Sequence, residues 1–189
     1  MAPKKRTVLS STGVEQAIRS LADKLCTTIQ PIRTTVLIGI QTRGVPLARR
    51  IAQHMYEKTG HEVPVGILDI TLYRDDVDEI ASQPIIKETD LPLDLNDRQV
   101  VLVDDVLFTG RTIRAALDQL IDFGRPHAVR LCVLLDRGHR ELPIQPDFVG
   151  KLIATSASEN VVVLLKEIDG RDQVVVTHKK KNNNKTRGI

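Results

Sequence analysis

Residues 100–112 read VVLVDDVLFTGRT. The four apolar residues at 100–103 predict a buried strand of a parallel sheet, and Asp104 and Asp105 follow at its exit. A turn over 106–112, with a glycine at position 110, then leads into a helix. Ligands of parallel α/β sheets bind beyond the carboxyl ends of the strands, so this segment is a predicted binding site.

The turn suits a phosphate and the acid pair suits a sugar diol. Gly110 lets the backbone approach an anion, Thr109 and Thr112 can donate hydroxyls, and the start of the helix presents free N–H groups. Ionised carboxylates only accept hydrogen bonds, and vicinal ribose hydroxyls donate them. The segment therefore predicts a ribose 5-phosphate site. From these residues alone, two alternatives stay open: an Asp pair that binds Mg²⁺ directly, or a turn that merely opens a helix. The Walker pattern GxxxxGK is absent.

The rest of the chain alternates short apolar strands with helices. Strands are predicted at 34–40, 63–70, 99–103, 129–135, 161–165 and 173–177, with helices at 45–56 and 111–123. A first helix ends before Pro31 and is capped by Ser11 or Thr12, with Glu15 completing a capping box. This alternation predicts a mostly parallel sheet covered by helices on both faces. The unperiodic stretch 71–98 is typical of a functional lid or arm, and 136–150 is rich in loop residues.

Length and charge restrict the class of protein. The 189 residues suit one domain, expected over 1–177. No apolar run approaches the roughly 18–20 residues of a membrane span, and MAPKKR has no apolar stretch after its charges, so a cytoplasmic protein is expected. Cys26 and Cys132 are expected to be buried, unpaired residues. Residues 178–189 carry five Lys or Arg and no acid, which predicts a solvated, disordered tail or a nonspecific contact with a polyanion.

Longer segments carry a family resemblance. The segment 100–112 resembles the phosphoribosyl pyrophosphate motif of type I phosphoribosyltransferases. GIQTRGVPLARR (39–50), DITLYRDD (69–76), VDDVLFTGRTIRAALD (103–118) and DRGHRELPIQPDFVGK (136–151) resemble the PyrR family, which comprises bifunctional pyrimidine-operon regulators and uracil phosphoribosyltransferases. The resemblance runs from about Glu15 to about Val176. It implies a central, mostly parallel five-stranded sheet flanked by helices, a small hood over about 136–160 and a flexible β-arm over about 71–98.

The resemblance also implies an activity and its partners. Ribose 5-phosphate would pass from phosphoribosyl pyrophosphate to uracil, giving UMP and pyrophosphate, with Mg²⁺ as cofactor. UMP-dependent binding to leader mRNA of pyrimidine genes would regulate their expression. Homodimers or higher homo-oligomers are implied as well. The segments DITLYRDD and RGHRELP disfavour orotate or a purine as the base.

The resemblance assigns roles to single residues. Arg43, Asp104, Asp105 and Arg137 are the expected catalytic residues, and Mg²⁺ would be held mainly by the substrate, with the two aspartates as candidate protein ligands. The expected contacts of phosphoribosyl pyrophosphate and UMP are Thr42, Arg43, Gly44, Arg74, Asp104, Asp105, Val106, Leu107, Phe108, Thr109, Gly110, Arg111, Thr112 and Arg137.

Alternatives stay open for two of these basic residues and for His139. Arg43 could instead pair with a surface acid, and Arg74 with Asp75 or Asp76. His139 could act as an acid or base, although a lone loop histidine is more often structural.

Phe108 bears on the choice of base. In the related purine enzymes, an acid at this position handles a proton of the base ring. The Phe therefore predicts a site without a side-chain general base, in which uracil is held by backbone groups and apolar surface.

The RNA face implied by the family lies on the first helix and the segment after RGHRELP. Arg19, Lys24, Arg140 and Lys151 retain part of a basic surface there. Asp23 and Gln145, however, stand where the family leads us to expect a Thr and an Arg, and a carboxylate repels RNA phosphate. The sequence thus favours enzyme activity over attenuation. The alternative is a mainly UMP-dependent RNA-binding attenuation protein with weak or vestigial enzyme activity.

Overall fold

A five-stranded parallel sheet forms the centre of the protein. The computed structural model describes residues 5–71, 89–91 and 94–178. Its elements are β1 (Arg6–Leu9), α1 (Ser11–Thr28), a 3₁₀ turn (Ile32–Thr34), β2 (Thr35–Ile40), α2 (Gly44–Thr59), β3 (Val65–Leu68), β4 (Gln99–Leu107), α3 (Arg111–Ile121), β5 (Ala128–Asp136), β6 (Phe148–Leu152), β7 (Glu159–Leu164), α4 (Lys166–Asp169) and β8 (Gln173–His178). The central order is β3-β2-β4-β5-β6, which confirms the predicted fold class.

Alternating side chains of the central strands build a core on each face of the sheet. In β4, Val101 and Val103 pack with buried residues of α1 and α2, whereas Val100 and Leu102 pack with those of α3. Strands buried on both faces read as continuous apolar runs, and every residue of β2 is buried. The helices therefore cover both faces, and the carboxyl ends of the strands meet at one edge.

Strand β4 is longer than the sequence predicts. It continues to Leu107, with Asp104 opposite Val133 of β5 and Leu107 opposite Asp136. The two aspartates thus lie inside the strand rather than after it. Pairing with β5 supplies the backbone partners that carry β4 past its apolar run.

Strand β6 was missed altogether. It lies within the stretch predicted as loop and hood, yet it pairs in parallel with β5, where Cys132 faces Phe148 and Asp136 faces Leu152. Phe148 is its one fully buried side chain, so β6 has little apolar pattern of its own. Its existence depends on the free edge of β5.

A separate three-stranded antiparallel sheet has the order β1-β8-β7. We call this sheet and α4 the hood. It joins the first and last described strands, and β1 was not predicted. Of the predicted hood span 136–160, only the start of β7 belongs to this sheet.

The cap of α1 corrects a local prediction. Ser10, rather than Ser11 or Thr12, caps the helix, because its side chain accepts a hydrogen bond from the Gly13 N–H at 3.2 Å. Glu15 pairs with Arg19 at 2.8 Å instead of closing a capping box. Both cysteines are free and buried, as predicted. Within the described parts of the chain, no helix is long and apolar enough to cross a membrane.

Candidate active site

The acid pair stands at the carboxyl end of β4. Asp104 is buried, and its Oδ1 accepts the N–H of Asp105 at 2.9 Å. Burial raises the pKa of Asp105, although the nearby positive charge of Arg43 opposes this. Such a pair is ready to accept hydrogen bonds from a diol, which would favour the ionised form.

The turn between β4 and α3 is held in place by the loop that follows β5. The Thr109 carbonyl accepts the N–H groups of Glu141 at 3.0 Å and Leu142 at 3.2 Å. The Thr109 hydroxyl accepts the Arg111 N–H at 3.4 Å. Gly110 has φ 94°, a left-handed conformation that favours glycine. The turn delivers the N-terminus of α3 to the edge of the sheet, where its free N–H groups can bind a phosphate.

A second loop, residues 42–44, lies beside the acid pair. Two glycines allow this close packing, because neither position has room for a side chain. A Cβ on Gly44 would stand 2.2 Å from the Val103 carbonyl oxygen. A Cβ on Gly39 would stand 2.5 Å from the Val45 Cα. Helix α2 therefore starts directly against β2 and β4, one residue away from Asp104. We call 42–44 the pyrophosphate loop, after the ligand that the family resemblance leads us to expect there; the Gln41–Thr42 peptide bond that leads into it is cis.

Arg43 of this loop pairs across to the hood. Its Nη2 donates to Oδ1 and Oδ2 of Asp169 in α4, at 3.1 and 3.3 Å. Its Nε is buried and has no hydrogen-bond partner among the described residues. The sequence left open that Arg43 pairs with a surface acid. Its partner is indeed an acid, but Asp169 is four-fifths buried and stands beside the site. Nothing in the local sequence indicates this partner, which lies 126 residues away.

Arg137, after β5, stacks on Phe108. The guanidinium carbon lies 4.2 Å from the centroid of the Phe108 ring. The same guanidinium donates to Thr155 Oγ1 at 3.1 Å and to the Ser156 and Glu159 carbonyls at 2.8 and 2.9 Å. Burial lowers the pKa of Arg137. Arg137 thus joins the core sheet to the start of the hood and forms a planar wall of the site.

His139 completes this cluster from the side. Its ring meets Phe108 edge-on, with centroids 5.9 Å apart. Its Nε2 lies 2.6 Å from the Thr155 carbonyl oxygen. Since a carbonyl only accepts, Nε2 carries the proton in this contact. The arrangement favours the structural alternative for His139.

A cavity of about 320 Å³ opens beyond the carboxyl ends of β5 and β6. Its lining residues are Asp136, Arg137, Gly138, Leu152, Ile153 and Ala154. The wall of this cavity is mostly apolar. The acid pair lies on the neighbouring strand β4, whose Leu107 pairs with Asp136 of the cavity wall.

Comparison with known proteins identifies the family of this chain. Residues 6–168 match the model of the phosphoribosyl transferase domain family. The bifunctional protein PyrR of Deinococcus radiodurans is 54% identical over 174 residues, covering 92% of this chain and 95% of that protein. Its counterpart from Thermus thermophilus is 52% identical over 170 residues, covering 90% and 94%. The chain belongs to the PyrR family.

Solved structures place the fold in the same group. A hypoxanthine phosphoribosyltransferase from Staphylococcus aureus superimposes with a TM-score of 0.68, covering 92% of each chain at 18% identity. At that identity the likeness shows the fold alone. The PyrR assignment rests on the sequence relatives and on the domain match.

The basic residues expected on the RNA face of a PyrR protein divide into two groups. Lys24 donates to the Val149 carbonyl at 2.9 Å and Lys151 to the Val8 carbonyl at 3.4 Å, and both residues are exposed. Arg19 is exposed and paired with Glu15. These three lie on or beside the surface where α1 packs against β6.

Arg140 does not belong to that surface. Its side chain is 13% exposed and donates to Asp136 Oδ2 at 2.6 Å and to the Phe108, Gly138 and Ile144 carbonyls. The guanidinium therefore holds the loop after β5 against the turn between β4 and α3. Four internal acceptors use its donors, so Arg140 lies apart from the exposed basic residues, and its contact with RNA stays a prediction.

Asp23 is less repulsive than the sequence suggests. Its carboxylate pairs with the Lys58 ammonium of α2, so its charge is partly neutralised by a residue 35 positions away. Gln145 is exposed.

Arg74, most of the predicted arm and the tail from 179 onward lie outside the described residues. The described residues near the end of the predicted arm are fastened to the core. Asp90 exchanges two backbone hydrogen bonds with Ile67 at 2.7 and 3.0 Å, and Thr89 Oγ1 accepts from the Asp69 N–H and from Gln119 Nε2.

Proposed function

We propose that this chain transfers ribose 5-phosphate from phosphoribosyl pyrophosphate to uracil, and that it also regulates pyrimidine gene expression as a PyrR protein. The observation that carries the enzyme activity is the juxtaposition at the sheet edge. An acid pair, a helix N-terminus and an arginine loop meet there, beside a cavity of about 320 Å³ with a mostly apolar wall.

Each part of the substrate has a chemically matched place. The 5-phosphate suits the turn 109–112 and the N-terminus of α3. The ribose hydroxyls suit Asp104 and Asp105, and the diphosphate suits the pyrophosphate loop with Arg43. Uracil would then occupy the cavity beside Arg137. This order sets the diphosphate and the base on opposite sides of the ribose carbon that reacts.

The chemistry needs positioning more than proton transfer. The bond from the ribose carbon to the diphosphate oxygen breaks, and its electron pair leaves with pyrophosphate. The uracil nitrogen forms the new bond and releases its proton to water. Arg43 stabilises the leaving charge, and holding both reactants in line can supply roughly 7–11 kcal/mol of barrier lowering. Phe108 and Arg137 wall the site and exclude water from the reacting carbon.

The acid pair fits Mg²⁺ as protein ligands of an ion that the substrate would also bind. Carboxylate oxygens are hard donors of the kind Mg²⁺ prefers. Among the described residues no group of three or more His, Cys, Asp or Glu could hold a metal by itself. Asp104 or Asp105 together with substrate oxygens would therefore hold the ion, which when bound neutralises charge on the pyrophosphate.

A steady-state assay with phosphoribosyl pyrophosphate and Mg²⁺ tests this function. Uracil, orotate and hypoxanthine are compared as bases at equal concentrations. We expect turnover with uracil to exceed the other two by at least an order of magnitude. Faster turnover of hypoxanthine or orotate would refute the assignment of the base.

The regulatory function has its own support. Lys24 and Lys151 present a basic surface between α1 and β6, and Lys58 partly neutralises Asp23. RNA titration with and without UMP, at two salt concentrations, tests it. Tight binding to one stem-loop that UMP strengthens is the expected result, with a salt slope that reports phosphate contacts. Salt-dependent binding without any effect of UMP would reduce the basic surface to a nonspecific contact. The homo-oligomer and the cytoplasmic location implied by the family resemblance stay predictions.

A further inference from the structure

We propose that Asp169 of the hood is a positioning residue for Arg43, holding its guanidinium open towards the diphosphate and away from Asp105. The proposal rests on the proposed function, since it concerns the same site. It assigns a role in substrate binding to α4, an element that no sequence motif of the site includes.

The geometry of the pair leaves Arg43 with free donors. Both oxygens of Asp169 contact the same nitrogen, Nη2, at 3.1 and 3.3 Å. A guanidinium has five N–H donors, so Nε and Nη1 are not used by this contact. Nε is buried without a partner among the described residues, which is a costly state for a donor. An anionic oxygen of the diphosphate would satisfy it without displacing Asp169.

Asp169 is itself fixed. Its Oδ2 accepts the Leu165 N–H at 2.9 Å, and its own N–H donates to the Leu165 carbonyl at 2.6 Å. The carboxylate is thereby held in one orientation at the end of α4. Arg43 is bound to a rigid anchor rather than to a mobile surface acid.

The anchor is tied in turn to α2, the helix that begins at the pyrophosphate loop. Arg50 of α2 donates to both oxygens of Glu167 at 2.7 Å and to both oxygens of Asp172 at 2.9 Å. Hydrogen bonds to these two carboxylates raise the pKa of Arg50. Arg43, directly before α2, and Arg50, within it, thus fasten the acidic turn 167–172 over the start of this helix.

Without Asp169, Arg43 has a second carboxylate nearby. Its positive charge already acts on Asp105 through space. A direct ion pair between them would occupy the acceptor intended for the ribose hydroxyls and the donor intended for the diphosphate. By taking one nitrogen of Arg43, Asp169 keeps both groups available.

The test compares Asp169→Asn with the wild type. The amide oxygen can still accept the Leu165 N–H, whereas the charge that holds Arg43 is lost. We expect the KM for phosphoribosyl pyrophosphate and the inhibition constant of pyrophosphate to rise about tenfold, as for loss of a charge-assisted contact, with the KM for uracil unchanged. Asp169→Glu keeps the charge and should recover part of the loss.

Glu57→Gln is the matched control at the far end of α2. Its carboxylate contacts Gln53 and His54 at 3.1 Å and touches neither Arg43 nor the turn that carries Asp169. We expect a lower melting temperature with both KM values unchanged. An equal rise in the substrate KM for this control would show a merely structural effect and overturn the proposal.

Two further results would also overturn it. One is an Asp169→Asn protein with the wild-type affinity for phosphoribosyl pyrophosphate. The other is a defect that disappears at high Mg²⁺ concentration, which would make Asp169 a metal ligand. Calorimetric binding of pyrophosphate to wild type and variant gives the same comparison without turnover. A wild type that binds pyrophosphate more tightly than the variant but converts no base would therefore refute the proposed function while supporting the role of Asp169.

Discussion

Gly44→Ala is the substitution whose effect follows most directly from the structure. A Cβ at this position would lie 2.2 Å from the Val103 carbonyl oxygen, whereas ordinary contact begins at 3.4 Å. Backbone must therefore move by about 1.2 Å, since neither partner is a flexible side chain. The movement separates the pyrophosphate loop from the end of β4, where Asp104 follows Val103.

The expected cost falls mainly on activity. Overpacking costs roughly 1–3 kcal/mol of folding stability, and the better helix propensity of Ala returns about 1 kcal/mol. A misplacement of about 1 Å at a reacting centre costs roughly 100-fold in rate. We therefore expect kcat/KM for phosphoribosyl pyrophosphate to fall by about two orders of magnitude, with a modest drop in melting temperature.

Gly60→Ala controls for the substitution at the other end of α2. Gly60 has φ 68° and no atom within 4 Å of an added Cβ. The left-handed conformation should cost about 1–2 kcal/mol of stability, without moving the site. Thermal melts and steady-state kinetics are measured for both variants. A Gly44→Ala enzyme with wild-type kcat/KM, or a Gly60→Ala enzyme that loses activity equally, would refute the reasoning.

Three other predictions concern charged groups at the site. Phe108→Asp should not raise uracil turnover, because no base-ring proton needs a side-chain acceptor; a several-fold increase in the steady-state rate would contradict this. Asp105→Asn should abolish turnover yet raise the melting temperature. The folded pKa of Asp105 lies above its unfolded value, so the wild type loses stability as the pH rises through that folded pKa, and the gain of the variant should be larger at pH 8 than at pH 4; a constant difference would count against it. Arg140→Ala should lower the free energy of unfolding by about 3 kcal/mol in a denaturant titration, because it leaves the buried Asp136 without its cationic partner. Lys151→Ala should change it little. Equal losses for the two variants would contradict the structural role of Arg140.

Local sequence determined the elements that carry their own pattern. The apolar run 100–103 and the glycine turn after it predicted a strand, a turn and a helix, and the structure places all three there. Phosphate binding by this turn stays a prediction. The buried strand β2 and helix α2 were predicted to within a few residues for the same reason. Periodicity and turn chemistry act between near neighbours, so they can be read along the chain.

Tertiary structure decided the features that need a partner far away in the chain. Strand β6 exists because β5 offers a free edge, and β4 continues through its aspartates because β5 pairs with them. The sequence predicts a surface cation at Arg140, but the fold brings four hydrogen-bond acceptors around its side chain.

The same division runs through the active site. Sequence named Arg43 and the acid pair, since their residue types and strand-end positions suffice to indicate a ligand. It did not name Asp169, which stands 126 residues beyond Arg43 in a turn with no motif. The choice of partner for a long charged side chain depends on which carboxylates the fold brings within hydrogen-bond distance, and that distance is a property of the packed chain rather than of its order.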